Sequence, residues 1–363
     1  MSKLYNISLL PGDGIGSEVL REGVKVIDCI GEIFSIKFNK KSFDWNSEYY
    51  LKTGIAYPEQ AMKVLSEFDA IYLGALGDPR VPDHVSVRLI IDMRCLFDQY
   101  VNLRPIKKYE GVPMYVKGLE NKNVDFCVVR ENTEGEYSNI GGCFKVGTED
   151  EVAVQTSIFT YKGIERITKY GFELSEKRRK TGITETSLVT NCTKSNALKY
   201  SMVTWDKIFN EVAMDYPLVN TQKAMVDAIT MWIIKNPEEF DVIVASNLFG
   251  DIISDLGAIL VGGLGFAPGA NINPEKKFPS LFEPIHGSAP KYAGKNVANP
   301  IATILSAQMM LEHLNEFDAA DMIGKSVEKA LRDGLVKTKD MGGNMATSEV
   351  GDVICNIIRK LSK

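Results

Sequence analysis

Apolar positions along this chain recur at two spacings, and the change from one to the other marks out its elements. Tyr5 to Leu10 reads as a buried strand and PGDGIG as a turn, and Glu18 to Phe34 carries Val19, Leu20, Val24, Ile27 and Ile30 at helical spacing. Pro58 to Phe68 is predicted as the next helix and Asp69 to Ala75 as a buried strand. Strands alternating with helices predict an α/β chain with a largely parallel sheet. Glu151 to Thr160 departs from that pattern, because Val152, Val154, Thr156 and Ile158 alternate as in an exposed antiparallel strand. A second domain or an assembly arm is expected there. Helices are predicted at Gly163 to Lys177 and Lys199 to Met214, with a strand at Ser187 to Asn191. Three more helices, near Ile301 to Leu314, Ala319 to Asp333 and Ser348 to Leu361, close the chain, and no internal repeat is present.

The most informative stretch is Phe240 to Asp255. Val242 to Ala245 has strand length, Ser246-Asn247 and Gly250 read as a turn, and Asp251 opens a segment of helical spacing. A helix beginning near Gly250 projects Asp251 and Asp255, four residues apart, from one face beside the carboxyl end of a strand, where open α/β sheets place ligands. Two hard oxygen donors there suit Mg²⁺ or Mn²⁺. Acidic residues also favour a first helical turn through its dipole, so the pair needs support from elsewhere. Gly12, Gly14 and Gly16 are spaced GxGxG rather than GxGxxG, which leaves a nucleotide loop and a plain tight turn as alternatives.

Composition narrows the class. The 363 residues are 45% hydrophobic and 25% charged, as in an ordinary globular protein with room for two domains. A net charge of -5 gives no basic field for a nucleic acid, and the Lys177-Arg178-Arg179-Lys180 cluster is expected to be a solvated helix end. The six cysteines show no CxxC spacing and sit among apolar neighbours, so reduced, buried thiols are expected. The first residues lack a signal peptide's apolar core and no apolar run approaches membrane-spanning length, so the expected location is the cytoplasm, with no membrane partner.

Candidate chemistry lies in the loops. After the Pro-rich GDPRVPDH loop, Val87, Ile90, Ile91 and Arg94 share one helical face, an apolar strip ending in a guanidinium. Arg104 in NLRP and Arg130 in VVRENTEGEY each stand beside a strand-like run, and three such arginines can clamp a small carboxylated substrate. Phe282 to Pro300 is a polar, Gly/Pro-rich stretch expected to lack regular structure and to be functional.

PGDGIG, NLRP, RENTEGEY, TKSN, NLFGDIISD, GGLGFAPGANI and HGSAPKYAGKNVANP occur in order from Leu10 to about Asn315. Together they resemble the β-decarboxylating dehydrogenases, a family that includes the isocitrate and isopropylmalate enzymes. FDWNSEYY, GDPRVPDH and FDQYVNLRP are most similar to its D-malate/tartrate branch. The resemblance implies a two-domain α/β fold with a shared twisted mixed sheet, not a standard Rossmann fold. The large cofactor domain would comprise residues 1–99 and 248–363. Residues 100–247 would form a dimerisation and substrate domain, with a protruding arm near 135–160. It also implies a homodimer or higher homo-oligomer with shared active sites.

Carried over by position, Arg94, Arg104 and Arg130 would bind the substrate carboxylates, with Val87 and Ile90 on the substrate strip. Asp227, Asp251 and Asp255 would hold Mg²⁺ or Mn²⁺. Tyr137 and Lys194 match the catalytic tyrosine and lysine, with Asp227 as a relay; Lys194 would act as a base if a cationic neighbourhood lowered its pKa. His286, Gly287, Ser288, Ala289, Pro290, Lys291, Tyr292 and Asn299 would form the adenosine site, replacing the glycine loop, and Asn196 would orient nicotinamide. Lys291 stands where NAD-linked members carry an acidic residue, which leans toward NADP, whereas the branch is NAD-linked. The implied reaction is NAD(P)-dependent oxidative decarboxylation of a small 2-hydroxy diacid to a 2-oxo acid and CO₂, of D-malate or tartrate type. 3-Isopropylmalate is the next substrate, then isocitrate or homoisocitrate; a non-catalytic regulatory subunit is the alternative of another class.

Overall fold

The computed structural model describes residues 3–363. β1 (Lys3–Gly12), α1 (Gly16–Phe34), β2 (Ile36–Ser42), α2 (Ser47–Thr53), α3 (Ala61–Leu65), β3 (Ala70–Ala75), α4 (Asp83–Ser86) and α5 (Arg88–Leu96) come first. They are followed by β4 (Val101–Lys107), β5 (Asp125–Glu131), β6 (Gly135–Phe144), β7 (Val152–Ile158), α6 (Tyr161–Lys180), β8 (Leu188–Thr193) and α7 (Ser201–Ala213). Next come β9 (Asn220–Met225), α8 (Val226–Lys235), β10 (Val242–Ala245) and α9 (Asn247–Leu260). β11 (Pro268–Ile272), β12 (Ser280–Pro284), α10 (Ile301–His313), α11 (Phe317–Arg332) and α12 (Thr347–Leu361) end the chain. A large mixed sheet takes ten of the strands, and the chain divides into two compact units.

The first unit contains the residues up to Gln99, Lys107–Glu120 and Ala258–Lys363. Its strands run β2-β1-β3-β12-β11, all parallel except the β11–β12 pair. β3 is buried at every position, which explains its unbroken apolar sequence. Leu10, Leu65, Ile71, Leu73, Leu89, Met93, Phe97 and Leu281 form one core cluster under α5. The PGDGIG turn is shaped by close approach. A Cβ on Gly12 would lie 1.8 Å from the Ala75 carbonyl oxygen and one on Gly14 2.0 Å from that of Ser288, at φ +73° and +55°. The Ile15 N–H donates to the Ser288 carbonyl at 2.8 Å, so the turn braces the HGSAP loop.

The second unit, Tyr100–Ile106 with Asn121–Gly257, has strands in the order β4-β5-β10-β8-β9. β5, β10, β8 and β9 are parallel. β6 and β7 form a separate antiparallel ribbon, and their outward residues Ile140, Phe144, Val152 and Val154 are exposed.

Several expectations change. The Pro58 to Phe68 helix shortens to α3, and Phe282 to Pro284 belong to β12, where Phe282 pairs with Ala270 and Tyr72. Arg178 is not solvated: helical periodicity turns it inward, and its Nε donates to Asp241 at 2.6 Å while Nη2 donates to Asp125 at 2.9 Å. All six cysteines are free, but Cys95 and Cys143 are exposed; Cys95 follows Arg94 on the outer side of α5 and Cys143 lies on the β6 ribbon. Among the described residues no helix is long and apolar enough to cross a membrane.

Candidate active site

α9 starts at Asn247, directly after β10, so the expected turn at Ser246-Asn247 and Gly250 is absent. The Gly250 N–H already donates to the Ser246 carbonyl at 2.8 Å. Gly250 serves packing rather than a turn, because a Cβ there would lie 2.6 Å from Cβ and Cγ of Arg130. The early start also gives Asn247 a task the sequence did not reveal. Its Oδ1 accepts from Arg130 Nη2 at 2.6 Å and Nε at 3.1 Å, and its Nδ2 donates to the Glu134 carbonyl at 3.2 Å.

Two arginines and two aspartates meet on this face of α9. Arg130, on β5 and only 2% exposed, places Nη1 2.6 Å from Asp251 Oδ1. Arg104, on β4, places Nη2 3.2 Å from Asp251 and Nη1 3.2 Å from Asp255, and is steadied by Asn102 at 2.8 Å and Ser254 at 2.8 Å. Atoms crowded around Asp255 push its carboxyl up from the ordinary value, Arg104 pulls it back, and Asp251 adds to the rise. Tyr137, at the root of the β6 ribbon, donates to Asp251 Oδ2 at 3.2 Å, and its ring centre lies 5.6 Å from the Arg130 guanidinium carbon. A buried guanidinium must be neutralised, and here the carboxylates do it.

Lys194 and Asp227 form a separate pair at 2.6 Å, which holds the Asp227 carboxyl below its usual value. Within the chain the side chain paired with Lys194 is thus the carboxylate of Asp227. Among the described residues no group of three His, Cys, Asp or Glu side chains is placed to hold a metal ion, so Asp227 does not join Asp251 and Asp255 within one chain. Asn196 is exposed in the turn after β8.

In the first unit, Arg94 is oriented by Asn271, from the GGLGFAPGANI motif, and Glu283, at the start of the Phe282 to Pro300 stretch. Its Nε donates to Asn271 Oδ1 at 3.0 Å, Nη2 lies 3.7 Å from Glu283, and Asn271 itself donates to Glu283 at 2.7 Å. Val87 precedes α5 and is 38% exposed, whereas Ile90 packs on the core cluster beneath it.

The HGSAP loop walls a cavity of about 450 Å³ lined by Ile15, Gly265, His286, Ala289, Tyr292, Val297, Ala298, Asn299, Lys339 and Asp340. Four of the expected adenosine residues are on this lining: His286, Ala289, Tyr292 and Asn299. Ser288 instead turns away, its Oγ donating to the Gly77 carbonyl at 2.5 Å; Gly287, Pro290 and Lys291 are exposed outside the lining. Ile15, Lys339 and Asp340 come from distant segments that sequence spacing could not connect. His286 Nε2 is buried without a hydrogen-bond partner, and burial holds the imidazole below its ordinary pKa. An apolar cavity with one orphaned polar atom fits a flat heteroaromatic ring that can complete the bond.

The isocitrate/isopropylmalate dehydrogenase family profile matches residues 6–354. D-malate dehydrogenase [decarboxylating] of Escherichia coli is 47% identical over 367 residues, covering 99% of each chain. Tartrate dehydrogenase/decarboxylase of Pseudomonas putida is 46% identical, covering 98% of each. The crystal structure of isocitrate dehydrogenase from Methylococcus capsulatus superimposes with a TM-score of 0.86 at 35% identity, over 98% of this chain and 99% of that one. By sequence and by fold, over nearly its whole length, this chain belongs to the isocitrate/isopropylmalate dehydrogenase family of oxidoreductases.

Proposed function

We propose that the protein oxidatively decarboxylates a small 2-hydroxy diacid of D-malate or tartrate type to a 2-oxo acid and CO₂. The observation that carries this reading is the pairing of Arg104 and Arg130 with Asp251 and Asp255 beside the Tyr137 hydroxyl. A diacid arriving with a divalent cation exchanges those partners without leaving any buried charge bare. Its carboxylates take Arg104 and Arg130, and Asp251 and Asp255 would hold the cation. Two hard carboxylates fit Mg²⁺ or Mn²⁺, which leave further positions for substrate oxygens. The adenosine half of NAD or NADP fits the His286 cavity, and Lys291 leans the choice toward NADP. When bound, the cation supplies a Lewis acid for the electron pair left by CO₂, and the nicotinamide takes up the hydride.

The residues divide the proton traffic. Lys194 and Asp227, already paired, carry the substrate hydroxyl proton away. Tyr137 delivers a proton to C3 after CO₂ leaves. Exposed Met231 and Trp232 on α8 and Ile252 on α9, next to Asp251, support a homodimer in which a partner's Lys194-Asp227 pair completes each site. Six free cysteines support a reducing, cytoplasmic setting.

Exposed Val87 favours 3-isopropylmalate as the second reading. Initial rates on D-malate, tartrate, 3-isopropylmalate, isocitrate and homoisocitrate, with NAD and NADP and with or without EDTA, test the proposal. Turnover of D-malate or tartrate that EDTA abolishes supports it; no turnover of either, or full activity in EDTA, rejects it.

A further inference from the structure

Lys194 follows the end of β8, and Asp227 lies in the first turn of α8, directly after β9. These two strands run parallel, with Asn191 opposite Lys223. Asp206 of α7, only 8% exposed, reaches both members of that rung. Its Oδ1 accepts from Asn191 Nδ2 at 2.9 Å, and its Oδ2 lies 2.5 Å from Lys223 Nζ. Asn191 is in turn held by Trp205, whose Nε1 donates to its Oδ1 at 3.0 Å. The Ser195 hydroxyl, directly after Lys194, also donates to the Asp206 carboxylate. Burial pushes this carboxyl up, but Lys223, Ser195 and Asn191 outweigh it and hold the group below its ordinary value. Asp206 is therefore an anion at neutral pH.

The Lys194–Asp227 contact has little of its own to hold it in place. The Asp227 side chain is 67% exposed, and in an ion pair open to water the entropy of ordering two side chains opposes their attraction. The geometry of the pair therefore follows the backbone of β8 and β9. Asp206 fixes that backbone just ahead of both residues, through charge-assisted hydrogen bonds largely shielded from water. We infer that Asp206 is a positioning residue: by tying Asn191 to Lys223 it sets the ends of β8 and β9, and with them the approach of Lys194 to Asp227. A displacement of about 1 Å in such a pair is enough to cost about 10²-fold in rate.

The inference rests on the reading of Lys194 and Asp227 as proton carriers, and amine labelling separates the two. Asp206→Asn keeps an acceptor for Asn191 but loses the charge that holds Lys223. The full-length protein is treated with an acetylating N-hydroxysuccinimide ester, and modification of each lysine is followed by peptide mass spectrometry. In Asp206→Asn, Lys194 and Lys223 should be modified severalfold faster than in the parent, with the remaining lysines unchanged. Turnover of D-malate or tartrate at saturating Mg²⁺ should fall by at least about tenfold, while KM for the diacid stays within about twofold. Lys223→Met should give the same pattern more weakly, and it stands in if Asp206→Asn fails to fold. Unchanged labelling of Lys194 would overturn the positioning role, whatever happens to turnover. Faster labelling of every lysine would overturn it too, by showing that the whole unit has loosened. Faster labelling at Lys194 and Lys223 with unchanged turnover would leave the tie standing and overturn the proton-carrying reading.

Discussion

Replacing Gly250 by alanine should damage the protein, although alanine is the better helix former. In an unobstructed helix interior the exchange stabilises by about 1 kcal/mol. Here the new Cβ would meet Arg130 Cβ and Cγ at 2.6 Å and Cδ at 3.2 Å. Arg130 Cβ is fixed to the β5 backbone and cannot swing aside, so helix and strand must separate. Forcing a methyl group into a filled interior costs about 1–3 kcal/mol. The same shift stretches the bonds from Arg130 to Asn247 and Asp251, each 2.6 Å at its shortest, and a charged hydrogen bond contributes about 1.5–3 kcal/mol. With the helix gain subtracted, we expect a net loss of about 1.5–5 kcal/mol, read as a lower unfolding temperature. Because the displaced guanidinium faces Asp251, KM for the diacid should rise by about tenfold. Gly324→Ala in α11 is the control, since the atoms nearest its Cβ are the amide end of the Gln308 side chain, at 3.0 Å and beyond, rather than a group fixed to backbone, and a small gain in stability is expected. A Gly250→Ala protein that unfolds at or above the parent temperature, with unchanged KM, would refute the packing argument.

Tyr137→Phe should lower overall turnover by about 10²-fold or more, as for loss of a general acid, while leaving the unfolding temperature nearly unchanged because this residue is half-exposed; full activity in the variant removes Tyr137 from the reaction. Mixing inactive Lys194→Ala with inactive Tyr137→Phe should restore activity through one intact site per heterodimer. No recovery, once heterodimers are demonstrated, would count against shared sites. Burial pulls His313 from its ordinary 6.5 down to about 4, where its ring packs against Phe282 at 5.6 Å. The folded chain therefore resists a proton that the unfolded chain accepts. The stability this represents, at most about 3 kcal/mol, is fully present above the ordinary value and is lost as pH falls from 6.5 toward 4. His313→Gln should flatten the stability profile across that window, and an unaltered slope would show that the imidazole is not responsible.

Local order was legible wherever one periodicity ran without interruption. The strand Val242–Ala245 lies where its apolar run places it, and α1, α10, α11 and α12 begin and end within about two residues of the expected bounds. The β6–β7 ribbon follows the same rule, since alternation is the signature of a strand with one exposed face. The sequence by itself also determined the family, because its motif residues are an ordered set of rare types that no periodicity explains. Tertiary structure decided what depends on which segments meet. Asn247 reads as a turn residue in isolation, yet Arg130, more than a hundred positions earlier, holds it as the first residue of α9. Arg178 reads as part of a solvated basic end until Asp241 and Asp125 arrive beside it. Asn271 and Glu283 lie in stretches the sequence already marked, yet only the fold decides that they hold Arg94, and Lys339 is unremarkable until Tyr292 stands beneath it. The physical reason is common to all: propensity and spacing act over a few residues, whereas neutralising a buried charge or seating a cation over a ring requires groups that are distant in the chain and close only in the fold.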